Sequence, residues 1–160
     1  MQIKFKKLHP DAKLPLRGSA GAAGYDLYAS TLDVVGNICI YGTGLAVEIP
    51  EGYCGVIYPR SSGVFRGAQM HGPTIIDSDF RGEIKIMFTP RLRGNERERA
   101  ELLAWLKENG KEQSLANYFF NEGERIAQLV VQRCVRITPV WAEELSETVR
   151  GAGGYGSTGA

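Results

Sequence analysis

Histidine is almost missing from this chain: His9 and His71 are the only two in 160 residues. Cysteine is scarce and scattered, with Cys39, Cys54 and Cys134 far apart and no C-x-x-C pair. That inventory excludes a zinc site of the usual ligand spacing. An odd number of thiols in apolar, strand-like surroundings instead predicts three buried free cysteines in a reducing compartment. An excess of either charge is also lacking. Lys+Arg total 19 and Asp+Glu 18, a net charge of +1, so no long-range field draws the protein to a nucleic-acid polymer or an anionic membrane. Any recognition of phosphate must be local. Apolar runs of membrane-spanning length are absent. The first ten residues, MQIKFKKLHP, alternate charge with single apolar residues and contain no signal-peptide core. The expectation is one cytoplasmic domain, since the length suits a single hydrophobic core. Neither an internal repeat nor a linker is visible.

Most of what is present reads as short strands. Ile38 and Ile40, then Leu45, Val47 and Ile49, alternate with smaller or polar residues at the period of a half-buried strand. Ile84, Ile86 and Phe88 alternate with Lys85, Met87 and Thr89, and β-branched residues fill Ile126 to Ile137. IPEGYCGVIYP sets a Pro-Glu-Gly turn between two runs. Many short strands with glycine-rich turns predict an all-β sandwich, jelly roll or distorted barrel.

One segment has helical rather than strand period. GNERERAELLAWLKENG begins with Asn95 as N-cap and Glu98 three residues on, a capping-box arrangement, and ends with Gly110 at a C′ position. Ala100, Leu103, Ala104 and Lys107 define its expected inner stripe, with Leu102 and Leu106 beside it. This predicts a helical insertion at about residues 95–120, within a segment spanning 92–120, packed on the barrel or on a neighbouring subunit.

Five stretches are unusual for a plain β domain. AAGYDLYA puts the carboxylate of Asp26 among small and apolar residues; alone, a turn-stabilising aspartate is the simpler reading. YPRSSG sets a guanidinium and hydroxyls on a proline-set turn, where Arg60 can bind phosphate bidentately and Ser61 can donate. In HGPTIIDSDFRGEIKI, Asp77 follows the apolar pair Ile75-Ile76 at a strand end, a candidate general base, with Asp79 as a second acid. EGERIAQLVV carries an amide, Gln128, inside an apolar strand. RGAGGYGSTGA closes the sequence with five glycines in eleven residues. It reads either as a flexible tail or as a flap whose backbone N–H groups approach a phosphate. No serine–histidine or cysteine–histidine pair is evident, so the set suits water-mediated phosphoester hydrolysis better than covalent catalysis.

In this order the five stretches resemble the five motifs of the trimeric dUTP nucleotidohydrolases (dUTPases), and the likeness covers nearly the whole chain except the helical insertion. An insertion between the third and fourth motifs is similar to some bacteriophage members. The resemblance implies a homotrimer of jelly-roll subunits, with each active site built from three chains. The implied reaction is hydrolysis of dUTP to dUMP and pyrophosphate with Mg²⁺ bridging the phosphates, which limits uracil in DNA and supplies dUMP. Carried over by motif, Asp77 would activate the water. His71, Ile75, Ile76, Phe80 and Lys85 would form the base and sugar pocket, with Phe80 excluding a ribose 2′-hydroxyl. Arg60, Ser61, Ser62 and Gln128 would hold phosphates and water, and Asp26 would organise the metal indirectly, through water, or a subunit contact. Residues 1–149 would form the domain and 150–160 a lid, with Tyr155 stacking on uracil and Arg150, Ser157 and Thr158 reaching the phosphates. The insertion could bind a protein partner.

The chain departs from the family pattern at four points. Ser62 replaces a usual glycine, Phe80 a usual tyrosine and Tyr155 a usual phenylalanine, while His71 stands where a small or amide residue is common. A competing resemblance is to the dCTP deaminases of the same fold, which need a glutamate on the strand where this chain has Met87. A non-catalytic nucleotide sensor is the reading from a different class, and the intact Asp77 argues against it.

Overall fold

The computed structural model describes residues 1–72, 74–90, 95–111, 114 and 119–153. In chain order the elements are β1 (Lys4–Lys7), β2 (Tyr25–Tyr28), β3 (Thr31–Val35), β4 (Ile38–Glu48), β5 (Tyr53–Pro59), α1 (Ser61–Phe65), β6 (Ala68–His71), β7 (Ile75–Ile76), β8 (Glu83–Pro90), α2 (Glu96–Glu108) and β9 (Arg125–Arg133). All pairings are antiparallel. One sheet runs β1-β4-β8-β6, and β3 shares the free edge of β4 with β1. The other runs β2-β9-β5-β7. These two sheets face each other as a jelly-roll-type sandwich rather than a closed barrel.

The core lies between them. Tyr41, Val47, Ile84, Ile86 and Phe88 come from the first sheet, and Leu27, Ile57, Ile76, Ile126 and Leu129 from the second, and all belong to one buried cluster. The alternation of β8 is as expected, with Ile84, Ile86 and Phe88 inward and Lys85 exposed. In β4 it is reversed at the start: Cys39 and Tyr41 are buried while Ile38 and Ile40 are only partly covered. The strand changes partner in its middle. Its register against β8 shifts between Gly42 and Ala46, with Gly44 at φ 66°, a conformation that costs glycine little. The backbone groups freed there are taken up. Glu83 Oε1 accepts from Gly44 N–H at 2.8 Å, and Thr43 Oγ1 donates to Ile84 O at 2.9 Å.

The turn at Pro50-Glu51-Gly52 forms as expected, with Tyr53 N–H donating to Pro50 O and Gly52 at φ 82°. Helix α2 also starts and stops as the sequence requires. Asn95 accepts from Glu98 N–H at 3.0 Å, Glu98 Oε2 accepts from Asn95 N–H at 2.9 Å, and Gly110 has φ 60°. Its buried side is narrower than expected: Leu106 is buried and Leu103 half-buried, whereas Ala100 and Ala104 face solvent. Leucines are drawn to the core cluster because they remove more apolar surface from water than alanines do.

Two further expectations are corrected. Cys39 and Cys54 are buried free thiols, but Cys134 is exposed, because it lies just past the end of β9, where cover from the opposite sheet ends. The expected strand from Ile126 to Ile137 stops at Arg133. Beyond it Val135, Ile137, Val140, Trp141, Leu145 and Val149 are all largely exposed. Among the described residues no strand pairs with this arm.

Candidate active site

The first four motifs fall into two groups at opposite ends of β5. The first group is at the β2–β9–β5 end. In register, Asp26 of β2 faces Gln128 of β9, and Gln128 faces Tyr58 of β5. Arg60 follows directly after β5. Asp26 is 7% exposed, and burial of a carboxylate demands cationic or hydrogen-bonding partners. It has two. Arg60 Nε is 3.0 Å from Oδ1, and Arg125 donates through a terminal guanidinium nitrogen to Oδ2 at 3.3 Å. Arg60 also donates to Arg125 O at 3.3 Å. One carboxylate therefore holds two guanidiniums side by side, with the Arg125 side chain half exposed. Arg125 is a participant that the motif reading passed over; its signal was a cation three residues before Gln128, on the same strand.

Gln128 reaches Pro59 O through its amide NH₂ at 3.4 Å. Its seat depends on Gly24. A Cβ added at Gly24 would fall 2.6 Å from Gln128 Oε1 and 3.0 Å from its Cβ, closer than carbon–oxygen contacts allow. Ser61 and Ser62 are exposed at the start of α1, so YPRSSG leads into one short helical turn, with Gly63 N–H donating to Arg60 O at 2.9 Å.

The second group surrounds β7. Ile75 and Ile76 pair with Val56 and Gly55 of β5, which carries Asp77 to the turn that follows. A cavity of about 450 Å³ is lined by Ile75, Ile76, Asp77, Phe80, Lys85 and Met87, among others. Ile75 is 60% exposed and Phe80 41%, so the apolar wall is open to a ligand. The turn is fastened by Phe80 N–H to Asp77 O at 3.2 Å and by Arg81 donating to Ser78 O at 2.6 Å and Phe80 O at 2.8 Å. Asp77 borders a second hollow of about 760 Å³, more polar, with Ser78, Asp79 and Arg81. His71 does not line the apolar cavity; its Nε2 is paired with Thr89 Oγ1 across the β6–β8 ladder.

Six residue steps along β5 and its end, from Cys54 to Arg60, separate the two groups. At about 3.3 Å per residue they lie roughly 20 Å apart. One group thus presents an apolar pocket with an exposed carboxylate, and the other presents paired guanidiniums beside an amide. Arg150 is exposed and folded into its own turn, donating to Gly153 O at 2.9 Å. Tyr155, Ser157 and Thr158 lie outside the described residues. Among the described residues no cluster of three histidine, cysteine or acidic side chains is placed to hold a metal, and none of their helices is long and apolar enough to cross a membrane.

Comparison with known proteins agrees with this division. Residues 10–93 and 113–159 match the dUTPase family, and the unmatched interval contains α2. The deoxyuridine 5′-triphosphate nucleotidohydrolase of Nautilia profundicola is 39% identical over 99% of both chains. That of Paramecium bursaria Chlorella virus 1 is 37% identical over 98% of this chain and 97% of its own. Among solved structures, the dUTPase of Staphylococcus bacteriophage 80alpha with dUPNHPP has a TM-score of 0.76 at 23% identity, covering 99% of each chain. That of phage phi11 of S. aureus, with a structural Mg(II) ion, has a TM-score of 0.68 at 21% identity over 92% of this chain and all of its own. With the family matched on both sides of α2 and relatives aligned end to end, the chain belongs to the dUTPase family.

Proposed function

We propose that Asp77 is the general base of the reaction this enzyme carries out, the hydrolysis of dUTP to dUMP and pyrophosphate. The observation that supports this is the position of Asp77, exposed at the end of β7 and on the rim of the apolar cavity. The faces of the planar uracil ring and the carbon skeleton of deoxyribose suit walls of Ile75, Ile76 and Phe80, with Lys85 nearby. Asp77 takes a proton from water. That water attacks the α-phosphorus, the bond from it to the bridging oxygen breaks, and pyrophosphate leaves with the electron pair.

The phosphates belong to Arg60, Ser61, Ser62 and Gln128. Their separation from Asp77, roughly 20 Å along β5, favours a site completed by another subunit. The arm after Arg133 favours the same reading, since its row of exposed apolar side chains gains cover only on another chain. A homotrimer with shared sites accounts for both features, with Arg150, Ser157, Thr158 and Tyr155 closing over the nucleotide. His71 would reach the base only if its contact with Thr89 opened.

Mg²⁺ would be carried by the substrate's phosphates, where it would supply charge neutralisation. The donor set suits such an ion better than a resident one: the buried carboxylate, Asp26, is already neutralised by Arg60 and Arg125. Asp26 would act on such an ion only indirectly, through water, while its direct contacts hold the two guanidiniums. Helix α2 exposes Leu102 and Trp105, which suits a protein partner at the insertion.

Hydrolysis in ¹⁸O-labelled water tests the chemistry. Attack at the α-phosphorus puts the label in dUMP, and label found in pyrophosphate would refute it. Ammonia release from dCTP is not expected, because Met87 lines the cavity where a deaminase needs a carboxylate.

A further inference from the structure

The Phe80 ring lies folded back over Gly82. A Cβ built on Gly82 would stand 2.6 Å from Cζ of Phe80, 2.9 Å from Cε2 and 3.5 Å from Cε1. The far edge of the ring therefore occupies the space that any side chain at position 82 would fill. Gly82 is not in the left-handed backbone region, so its φ and ψ do not demand glycine. What demands it is the ring. Phe80 also lines the apolar cavity, and its ring is partly exposed. Its height in the cavity is set by the turn below it, tied by Arg81 to Ser78 O and Phe80 O, and by the bare backbone of Gly82.

We infer that Gly82 is a positioning residue for sugar specificity: by lacking a Cβ it seats the Phe80 ring at the height that admits deoxyribose and rejects ribose. This rests on the reading of Phe80 as the wall beneath the sugar. Adding one methyl group at position 82 forces the ring outward, since carbon atoms in packed proteins do not approach to such distances. The only room is toward the cavity or toward solvent. Moved toward the cavity, the ring crowds the deoxyribose; moved toward solvent, it loses contact with it. In both cases dUTP loses binding, whereas UTP, already rejected, has less to lose. The ratio of kcat/KM for dUTP over UTP therefore falls. Asp77 is untouched by the displacement, so kcat for dUTP is retained and the loss appears in KM.

The test compares Gly82→Ala, Phe80→Ala and the double variant, each assayed with dUTP and UTP alongside thermal denaturation. Gly82→Ala is expected to raise KM for dUTP about tenfold, a typical cost of a displaced packing contact, with kcat within about twofold and the melting temperature unchanged. In the double variant, Gly82→Ala should have no further effect, since the ring through which it acts is gone. If Phe80→Ala lowers the dUTP/UTP ratio and Gly82→Ala leaves it at the wild-type value, the role of Gly82 is wrong and that of Phe80 stands. If Phe80→Ala also keeps the wild-type ratio, the reading of Phe80 falls and takes Gly82 with it. Should Gly82→Ala lower stability, the double variant is compared with Phe80→Ala at a temperature well below both melting points. Equal KM in the two supports the contact, and a further rise in the double variant overturns it.

Discussion

Asp26 and Arg60 are bound side chain to side chain, Oδ1 to Nε at 3.0 Å, although Asp26 lies in β2 and Arg60 just past the end of β5, 34 positions apart in the sequence. The same carboxylate takes Arg125 on its other oxygen. Replacing Asp26 by asparagine keeps the shape and removes the charge, leaving two guanidiniums side by side without a counter-ion. A hydrogen bond to a charged group is worth about 1.5–3 kcal/mol, so KM for dUTP should rise about tenfold or more. Steady-state kinetics with a melting curve check this, and an unchanged KM would show that Arg60 needs no such support.

Asp77→Asn removes the proton acceptor while leaving the walls of the cavity in place. Loss of a positioned base costs about 10²–10⁴ in rate, so kcat should collapse while a non-hydrolysable dUTP analogue still binds. Turnover near the wild-type rate would remove Asp77 from the role of base.

Gly24→Ala places a methyl group against the Gln128 amide without straining the backbone, since Gly24 is not in the left-handed region. If Gln128 orders phosphate or water, kcat/KM should fall about tenfold, an energy comparable to one lost hydrogen bond. Gln128→Ala should do the same, and the two changes together should cost little more than one. Full additivity would mean that the glycine acts on something else.

Alkaline pH should destabilise the fold through two buried acids. Burial pushes Tyr41 up to about 12 from 10.0 and Cys39 up to about 11 from 9.0. Both pKa values are higher in the folded state, so the stability they contribute is intact below about pH 9 and is lost as pH rises through 11 and 12. The melting temperature should therefore drop across that window. In Tyr41→Phe the hydroxyl that exchanges hydrogen bonds with Phe120 O and N–H, both at 3.3 Å, is gone. That variant should melt roughly 2–4 °C lower at neutral pH and show a shallower fall above pH 10. An unaltered slope would place the alkaline titration elsewhere.

Truncation after Val149 tests the lid. The removed stretch has few apolar groups to bury, so the melting temperature should stay nearly constant. Catalysis should fall by orders of magnitude if Arg150, Tyr155, Ser157 and Thr158 close the site. Tyr155→Phe should be nearly silent and Tyr155→Ala should weaken nucleotide binding. An unchanged kcat/KM in the truncated chain would make the segment a dispensable tail.

Local signals determined a good part of this protein. The capping box at Asn95 and Glu98, the glycine at position 110, the Pro50-Glu51-Gly52 turn and the alternation of β8 all rest on contacts within a few residues, which is why they could be read directly. The five motifs in order were legible for the same reason, each being a short run whose residue types match one chemical task. Tertiary structure decided what depends on partners distant in sequence. Asp26 could be placed near a metal or at a subunit contact from sequence, but only strand pairing shows it facing Arg60 and Arg125, because the register of β2, β9 and β5 sets which side chains meet. The exposure of Cys134, the narrow leucine stripe of α2 and the bare arm beyond Arg133 likewise follow from where the opposing sheet ends. The reserved space at Gly24 and Gly82 is the clearest case: a missing Cβ carries no signal in sequence, and its meaning appears only when another side chain is found filling the place.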